Sequence, residues 1–407
     1  MEFVPDIGQF ILFAQESSDD SGGSFLLESV ERGRLGRNSF VGWGARVVDL
    51  EEAETLGAPL VGYVAYDYAA KLEPTVRLPA EGQGLPESSF VVVETLVRFD
   101  HGAGVAEVLA GDPEDIAHRL AEPLSELRGG DGHRGPLRRF PSQARYEGMV
   151  RACQDHIRAG DAYQIVPSQR AERPTSASPL ALYRALRRVN PSPYLFLLEL
   201  DSLALVGSSP ERLVACEGSR ASLCPIAGTT APGDGDAERL LSSGKDRAEH
   251  VMLVDLGRND LSRVCRAGTV TVTRFMDVER FSHVSHLVSE VEGELRDGVT
   301  PFDLLRACFP AGTVTGAPKI RAMQIISALE GYRRGPYAGA VGYMLPGGRM
   351  DTCIALRTIV VADGVARIQA GAGIVADSEP DAEHRECLAK LAALEAAIDL
   401  AEAEYAS

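Results

Sequence analysis

The spacing of apolar and polar residues divides the chain into blocks of predicted strands separated by predicted helices. Residues 25–110 alternate apolar runs such as FVVVETLVRF with Gly and Pro turns, which is typical of β-structure. Helical spacing of apolar residues predicts helices over 111–128, 145–160, 179–189, 244–258, 301–308, 317–331 and 379–401. Further strands are predicted over 161–170, 194–200 and 204–210, with a β-meander between the last two helices. Strands in blocks favour an α+β architecture over strict βαβ alternation.

Two polar stretches are expected to carry no regular structure. Residues 1–24 end in SSDDSGG and indicate a loose lead-in, and residues 129–141 (GGDGHRGPLRRFP) are typical of a surface connection. The character of the chain changes after that connection. The sequence therefore divides into an N-terminal β-rich part, residues 1–140, and a second part, residues 141–407.

Charge and cysteine content exclude several classes of protein. The chain has 41 basic and 58 acidic residues and a formal net charge of −17, whereas nucleic-acid and anionic-membrane binders carry basic surfaces. It lacks a run of 18 apolar residues and a signal-type start, so we expect no membrane segment. The seven cysteines form no C-x-x-C pair, which favours buried thiols in a reducing cytoplasm.

Two glycine-rich segments superficially resemble nucleotide loops. Residues 312–319 (GTVTGAPK) have the wrong spacing for a phosphate loop. Residues 371–376 (GAGIVA) match G-x-G-x-x-A, but a strand and turn follow where dinucleotide binding needs a helix to begin. Nucleotide binding is therefore disfavoured, although bare backbone N–H groups there could approach an anion closely.

Two pairs of carboxylates lie three residues apart on predicted helices. Asp246 and Glu249 form one pair, Glu383 and Glu386 form the other, and Lys390 follows four residues later. That spacing places both acids of a pair on one helix face. Facing helices would offer hard oxygen ligands suited to Mg²⁺. The alternative is a solvated acidic face on each helix, and spacing alone does not separate the two.

Two further residue types are candidates for acid–base chemistry. Glu211 follows a predicted strand in GSSPE, where a partly buried carboxyl can serve as a general acid and an exposed one is a turn residue. The eight histidines show no metal-binding spacing, so each is either a structural residue or a single acid or base at a cleft.

Ten segments in a fixed order resemble the chorismate-utilising enzymes, specifically the large (component I) subunits of anthranilate synthases. They are GDAYQIVPSQR, NPSPYLFLLEL, SSPERL, PIAGT, KDRAEHVMLVDLGRNDL, SHVSHLVSEVEGEL, PAGTVTGAPKIRAMQII, GAVGYM, MDTCIALRT and AGAGIVADSEPDAEHRE. FLLESVERGRLGRNSFVG (25–42) also resembles the regulatory segment of that family. The resemblance implies two large antiparallel sheets packed as a sandwich with flanking helices, and an active site in the cleft between them. In these terms residues 141–407 are the chorismate-binding catalytic region, and residues 1–140 belong to the same fold.

The resemblance implies a reaction and a set of site residues. Ammonia attacks C2 of chorismate, the 4-hydroxyl leaves as water, and pyruvate is eliminated to give anthranilate. Mg²⁺ would be held by Glu249 and Glu386, with Asp246 and Glu383 in or near its shell. Glu211 would be the general acid and His286 would assist elimination, while Tyr343 and Arg357 would bind the enolpyruvyl carboxylate. The other residues implied to line the pocket are Gly228, Thr229, Thr313, Gly371, Ala372, Gly373 and Lys390.

Two positions bear on the choice between sibling enzymes of this family. Gln164 stands where water-adding isochorismate synthases carry a lysine base, and an amide cannot deprotonate water. Ala227 stands where aminodeoxychorismate synthases carry a nucleophilic lysine. Both favour direct attack by ammonia. A 2-amino-2-deoxyisochorismate synthase, which stops before pyruvate is lost, and an aminodeoxychorismate synthase component I remain the alternatives.

The resemblance also implies a partner and a regulatory site. No cysteine lies in a glutaminase context, so ammonia would come from a separate glutamine amidotransferase subunit in a hetero-oligomer. Ser29 and the run Pro193, Tyr194 and Leu195 resemble the tryptophan feedback site. A non-catalytic regulatory subunit is disfavoured, because the four acids, Arg357 and His286 are all present.

Overall fold

The structure is a computed structural model of the chain. It describes residues 22–29, 38–101, 103–120, 135–201, 203–230, 233, 235–280 and 285–404. Residues 1–21 of the predicted lead-in and residues 129–134 of the predicted connection lie outside these residues. Within the described part of each, Gly23 and Ser24 already belong to a strand, and so do Arg138–Phe140.

The helices follow local capping signals. Those described are α1 Leu50–Leu56, α2 Ala69–Leu72, α3 Pro113–Leu120, α4 Gln143–Arg158, α5 Pro179–Val189, α6 Asp236–Ser242, α7 Gly244–Ser262, α8 Pro301–Cys308, α9 Lys319–Glu330 and α10 Pro380–Glu404. Helix α5 begins where Ser178 accepts a hydrogen bond from the Ala181 N–H and has Pro at its first position. Helix α8 begins with a reciprocal capping box between Thr300 and Asp303.

One ten-stranded antiparallel sheet, here called sheet A, combines strands from both parts of the chain. Its order is β7-β6-β2-β1-β11-β12-β21-β22-β10-β8. The strands are β1 Gly23–Glu28, β2 Asn38–Gly44, β6 Thr95–Asp100, β7 Val105–Ala110, β8 Arg138–Phe140, β10 Ser168–Pro174, β11 Tyr194–Leu200, β12 Leu203–Ser209, β21 Thr358–Ala362 and β22 Val365–Gly371.

A second antiparallel sheet, sheet B, is built in the same way. Its order is β15-β17-β14-β13-β20-β19-β4-β5-β3, and β16 pairs with β17. The strands are β3 Arg46–Val48, β4 Leu60–Val64, β5 Ser88–Val92, β13 Arg212–Glu217, β14 Arg220–Leu223, β15 Ile226–Thr230, β16 Thr271–Arg280, β17 Ser285–Glu294, β19 Ala340–Leu345 and β20 Arg349–Ile354. Two short strands, β9 Gln164–Ile165 and β18 Gly316–Ala317, pair separately.

The two sheets pack face to face and the helices cover their outer faces. Apolar side chains of both sheets form the central layer, with Phe196 and Leu205 from sheet A against Val61 and Val341 from sheet B. Helices α5 and α10 cover the other face of sheet A, and α7 and α8 cover that of sheet B. This is the predicted α+β sandwich with flanking helices. None of the described helices is long and apolar enough to cross a membrane.

The crossings between the sheets place two site residues. The chain leaves β12 of sheet A, passes through Glu211 and enters β13 of sheet B. It returns from β20 of sheet B through Arg357 to β21 of sheet A. The main-chain N–H of Ser208 donates to the Arg357 carbonyl at 3.1 Å, which fixes the two crossings side by side.

Candidate active site

Residues 371–373 (GAG) at the end of β22, here called the glycine loop, form one wall of the site. Ala372 is fully buried, and its N–H bonds to the Pro167 carbonyl at 3.3 Å. A Cβ atom on Gly373 would lie 2.5 Å from the Gln164 amide nitrogen, so a side chain here would displace the Gln164 amide. The amide of Gln164 also donates to Glu249 of α7 at 3.0 Å. Gln164 therefore joins the glycine loop to one of the predicted metal ligands.

Lys390 and Glu386 of α10 border the same loop. The Lys390 ammonium donates to the Gly371 carbonyl at 2.9 Å and to the Glu386 carboxylate at 2.7 Å. Glu249 and Glu386, from two different helices, thus border one loop.

The four predicted metal ligands do not converge as a single cluster. Among the described residues no group of three or more His, Cys, Asp or Glu side chains is placed to hold a metal ion. Asp246 packs against Gly228, whose added Cβ would lie 3.2 Å from the Asp246 Cβ, and Glu383 is buried one turn before Glu386. Mg²⁺ is usually bound through one or two carboxylates with water and substrate oxygens. Glu249 of α7 and Glu386 of α10, which border the glycine loop, are the candidates for those two carboxylates.

Glu211 has a carboxyl group whose pKa is changed by its surroundings in the structure. Burial raises the pKa of its carboxyl from 4.5 to about 8, and this is only partly opposed by the neighbouring Thr313 hydroxyl and by the charge of Lys390. The carboxyl is therefore mainly protonated at pH 7. The Thr313 hydroxyl is itself buried and has no well-aligned hydrogen bond to the described residues. A partly buried, neutral carboxyl can donate a proton to a leaving oxygen.

Arg357 has the properties of an anion-binding residue. Its backbone is left-handed, with φ 47°, an uncommon conformation for a residue with a side chain. Burial lowers the pKa of its guanidinium. Its nearest hydrogen-bonding side chain is the Ser192 hydroxyl at 3.5 Å, and no carboxylate of the described residues pairs with it. A buried guanidinium without a carboxylate is suited to bind one from a ligand.

His286 is held in one tautomer beside Arg357. Its Nδ1 lies 2.8 Å from the Gly228 carbonyl, which can only accept, so Nδ1 carries the hydrogen. A bulge in the pairing of β15 with β17 separates Ala227 from Thr229 and gives Gly228 a φ of 65°. Burial and the nearby charge of Arg357 lower the pKa of His286, although the Gly228 bond opposes them. The imidazole is therefore neutral at pH 7, with its lone pair on Nε2.

A cavity of about 210 Å³, here called the second cavity to distinguish it from the site around Glu211 and the glycine loop, lies between β1, β11 and β19. Ser29, Pro193, Tyr194 and Leu195 all line it, so the four residues predicted for regulation lie around one cavity. The Ser29 hydroxyl is buried and has no hydrogen-bond partner among the described residues. The rest of the 25–42 segment lies partly in residues 30–37, outside the described residues.

The sequence-based assignment of Tyr343 needs correction. Tyr343 lines the second cavity, with its ring 5.2 Å from that of Phe40, because β19 directs it into the layer between the sheets. The tyrosine on the glycine loop is Tyr337, whose hydroxyl would lie 3.0 Å from a Cβ on Gly371. Tyr337 was not singled out from the sequence. The two tyrosines are six residues apart, and only strand pairing shows which one enters β19.

Arg212 lines two cavities. It lines the second cavity and also a smaller one of about 50 Å³ beside Glu211 and Thr313. Its guanidinium donates to the Tyr194 hydroxyl at 2.8 Å and to Asp351 at 3.0 Å, and burial raises the pKa of that carboxyl. Both partners face the second cavity.

The arrangement combines four chemical functions within connected loops. They are a protonated carboxyl, a guanidinium that no carboxylate of the described residues pairs with, a neutral imidazole, and two helix carboxylates that border the glycine loop. Together they can bind a dianion, protonate a leaving hydroxyl and accept a proton. Thr229 pairs with His286 through β15, which places its backbone at the same site.

Comparisons with known proteins identify the family of this chain. The family described as chorismate binding enzyme matches residues 23–396. An anthranilate synthase component 1 from Thermus thermophilus is 46% identical, covering 93% of each chain. A probable anthranilate synthase component 1 from Schizosaccharomyces pombe is 42% identical, covering 94% of this chain and 89% of the other.

Solved structures show the same fold. Anthranilate synthase component I from Streptococcus pneumoniae has a TM-score of 0.77 and 34% identity, covering 92% of each chain. The menaquinone-specific isochorismate synthase from Escherichia coli also has a TM-score of 0.77. At 21% identity over 98% of this chain and 92% of the other, it bears on the fold alone.

Proposed function

This chain belongs to the chorismate-binding enzyme family, and we propose that it aminates chorismate at C2 and releases water and pyruvate, giving anthranilate. It would act as the large subunit of an anthranilate synthase. The observation that carries the proposal is the Glu211 carboxyl, protonated at pH 7 and held beside Thr313 and Lys390. The names of relatives more than 40% identical to this chain support the same reaction.

In the first step ammonia forms a bond to C2 while the bond between C4 and its hydroxyl breaks. The ring double bonds shift between the two carbons. Glu211 gives its proton to the departing hydroxyl, which leaves as water, and the attacking nitrogen loses a proton. Arg357 binds a carboxylate of the substrate, and the glycine loop offers backbone groups to which a side chain would deny access.

In the second step the proton at C2 is removed and the enolpyruvyl oxygen leaves C3. The ring becomes aromatic and the side chain departs as pyruvate after taking up a proton. His286 is suited to accept the C2 proton, because its Nδ1 hydrogen is held by Gly228 and its Nε2 carries the lone pair.

Glu249 and Glu386 would hold Mg²⁺, with Asp246 and Glu383 in or near its shell. Bound there, the ion would neutralise the ring carboxylate of the substrate. Gln164 orients Glu249 by donating to it at 3.0 Å. Lys390 holds Glu386 at 2.7 Å and keeps a positive charge at the loop.

The choice among sibling reactions rests on Gln164, Ala227 and His286. Gln164 cannot act as the base that water addition needs, and Ala227 cannot form a covalent adduct. The leading alternative is a 2-amino-2-deoxyisochorismate synthase, which would keep the enolpyruvyl group. We favour loss of pyruvate because His286 is held in the basic tautomer.

Ammonia would come from a separate glutamine amidotransferase subunit in a hetero-oligomer. The component 1 designation of the relatives supports a partner component. The substrates would be chorismate and ammonia. We propose that the reaction takes place in the cytoplasm.

The second cavity would bind tryptophan as a feedback inhibitor. Four residues that resemble the tryptophan site of the family line it, and the Ser29 hydroxyl, which has no hydrogen-bond partner among the described residues, could bond to a ligand. Tyr343 would serve this cavity and not the chorismate site.

The test is to incubate the purified chain with chorismate, Mg²⁺ and an ammonium salt. Fluorescent anthranilate with an equal amount of pyruvate supports the proposal. An aminated product that keeps the enolpyruvyl group would assign the sibling reaction, and unconsumed chorismate would reject both.

A further inference from the structure

A buried arginine connects the loops that carry the site. Arg334 is the largest of the described side chains that are less than 2% exposed, and it lies between α9 and β19. We propose that Arg334 is a positioning residue that holds three loops of the chorismate site in register. This inference rests on the proposed function and assigns a role to a residue outside the reacting groups.

The guanidinium donates to main-chain carbonyls on two of these loops. It bonds to the Val314 carbonyl at 2.8 Å and to the Val166 carbonyl at 2.6 Å. Val314 follows Thr313, the residue that faces Glu211. Val166 lies two residues after Gln164, which contacts Glu249. A single side chain therefore fixes the loop beside the proton donor and the loop beside a metal ligand.

The third loop is reached through aromatic contacts. The Arg334 guanidinium carbon lies 5.6 Å from the centre of the Tyr337 ring and 4.5 Å from that of Tyr66. A desolvated guanidinium near an aromatic ring interacts favourably with it. Tyr337 in turn directs its hydroxyl at Gly371, where the glycine loop begins.

The carboxylate partner of Arg334 extends the same network. Glu330 binds Arg334 at 2.6 Å in a pair whose side chains are 6% and 1% exposed. Glu330 also accepts from the N–H and the hydroxyl of Ser168, at 2.8 and 2.7 Å. Ser168 pairs with Gly371 in the register of β10 and β22. The glycine loop is thus held from both the tyrosine and the strand side.

A buried ion pair is a weak source of stability, because removing both charges from water costs about as much as their attraction returns. The geometry explains why an arginine is present. A planar fork with five N–H donors can serve acceptors in several directions, whereas an ammonium cannot hold the same set at these distances. The consequence is precision of the site, on which catalysis depends steeply.

The test compares Arg334→Lys with a matched control elsewhere in the fold. Arg173 is also buried, 8% exposed at its side chain, and pairs with Asp399 at 2.7 Å on the outer face of sheet A. Both lysine variants are expected to lower the melting temperature. At a temperature where both remain folded, we expect Arg334→Lys to lower kcat/KM at least about tenfold and to raise KM for chorismate. Arg173→Lys is expected to stay within about twofold of the unchanged chain in both parameters.

Two further variants keep the inference open to refutation if Arg334→Lys does not fold. The double variant Arg334→Met with Glu330→Gln removes both charges, so it leaves no buried charge unpaired, and it should fold with low kcat/KM. Ser168→Ala removes the hydroxyl that donates to Glu330 and accepts from Gln369, while the main-chain bond to Glu330 and the strand pairing with Gly371 remain. This partial loss of the network should raise KM more than it lowers kcat. A folded Arg334 variant with unchanged kcat and KM would overturn the inference. Failure of the unchanged chain to consume chorismate would instead reject the proposed function and, with it, this role.

Discussion

Replacing Glu211 by glutamine separates proton donation from every other property of the site. The amide has the shape of the carboxyl and can still contact Thr313, but it cannot donate a proton to the leaving hydroxyl. General acid catalysis typically contributes about 10²- to 10⁴-fold, so we expect kcat to fall by about that factor while KM changes little. The pH dependence should change as well. Since the pKa of Glu211 is about 8, turnover of the unchanged chain should decline as the pH rises through 8.

The same substitution has a predictable effect on stability. Folding raises the pKa of Glu211 from 4.5 to about 8, so the folded state favours the protonated form. The stability associated with that proton is fully present below pH 4.5 and is lost as the pH rises through 8. The difference corresponds to about 5 kcal/mol as an upper limit. Glu211→Gln has no such loss and should be more stable than the unchanged chain at pH 9 but not at pH 4.5.

The assay measures the rates of anthranilate and pyruvate formation between pH 6.5 and 9.5. The rates of the variant and of the unchanged chain are compared at equal concentrations of uncharged ammonia. Thermal or urea unfolding at pH 4.5 and at pH 9 gives the stability difference. Glu217→Gln, an exposed acid at the end of β13, is a matched control and should leave both measurements unchanged. The reasoning would be refuted by a Glu211→Gln variant that keeps more than about a tenth of kcat. A variant without any stability gain at high pH would refute the raised pKa.

Four further changes test the other parts of the site. Glu249→Gln should abolish stimulation by Mg²⁺ with little loss of stability, and Asp255→Asn on the same helix should not; equal Mg²⁺ responses would reject the metal assignment. His286→Asn should release an aminated product that still carries the enolpyruvyl group, detected by mass spectrometry, and normal pyruvate yield would contradict its role. Arg357→Lys should raise KM for chorismate by about 10- to 100-fold, because lysine cannot bind a carboxylate bidentately; an unchanged KM would refute anion binding. Ser29→Ala should weaken inhibition by tryptophan about 5- to 10-fold in a fluorescence titration, the value of one hydrogen bond, and undiminished inhibition would reject that contact.

Elements set by local signals were predictable from the sequence. Helix α5 has its predicted bounds of 179–189, because Ser178, Pro179 and the following Asn190-Pro191 define both ends. The predicted strand over 194–200 is β11 as observed. Helix α1 was missed inside a block predicted as mostly β. Its signals were present, since Asp49 caps the Glu52 N–H and Gly57 closes the helix in a left-handed conformation.

Features that depend on distant pairing were not predictable in the same way. Tyr337 and Tyr343 lie in different places because β19 pairs not only with the adjacent strand β20 but also with β4, which is far away in the sequence. Arg334 belongs to the segment YRRG, whose two adjacent charged residues are typical of an exposed turn, but the fold buries the Arg334 side chain. Motif order indicated the acids, His286 and Arg357, but not the raised pKa of Glu211, which comes from burial at a sheet crossing.

The net charge of −17 also bears on how the site binds its proposed substrate. The proposed substrate is a dianion, so the charge of the whole protein does not attract it. Binding has to be local, through Arg357, Lys390 and the backbone groups of the glycine loop. The acids at the site, Glu249 and Glu386, repel the substrate unless a cation lies between, so activity should depend strongly on Mg²⁺.

The most direct test of the central claim is the identity of the products formed from chorismate and ammonia in the presence of Mg²⁺. The measurement is anthranilate by fluorescence and pyruvate by a coupled assay on the same sample. The account predicts equal amounts of the two, with none formed when Mg²⁺ is chelated. An aminated product that retains the enolpyruvyl group, or no consumption of chorismate at all, would contradict it.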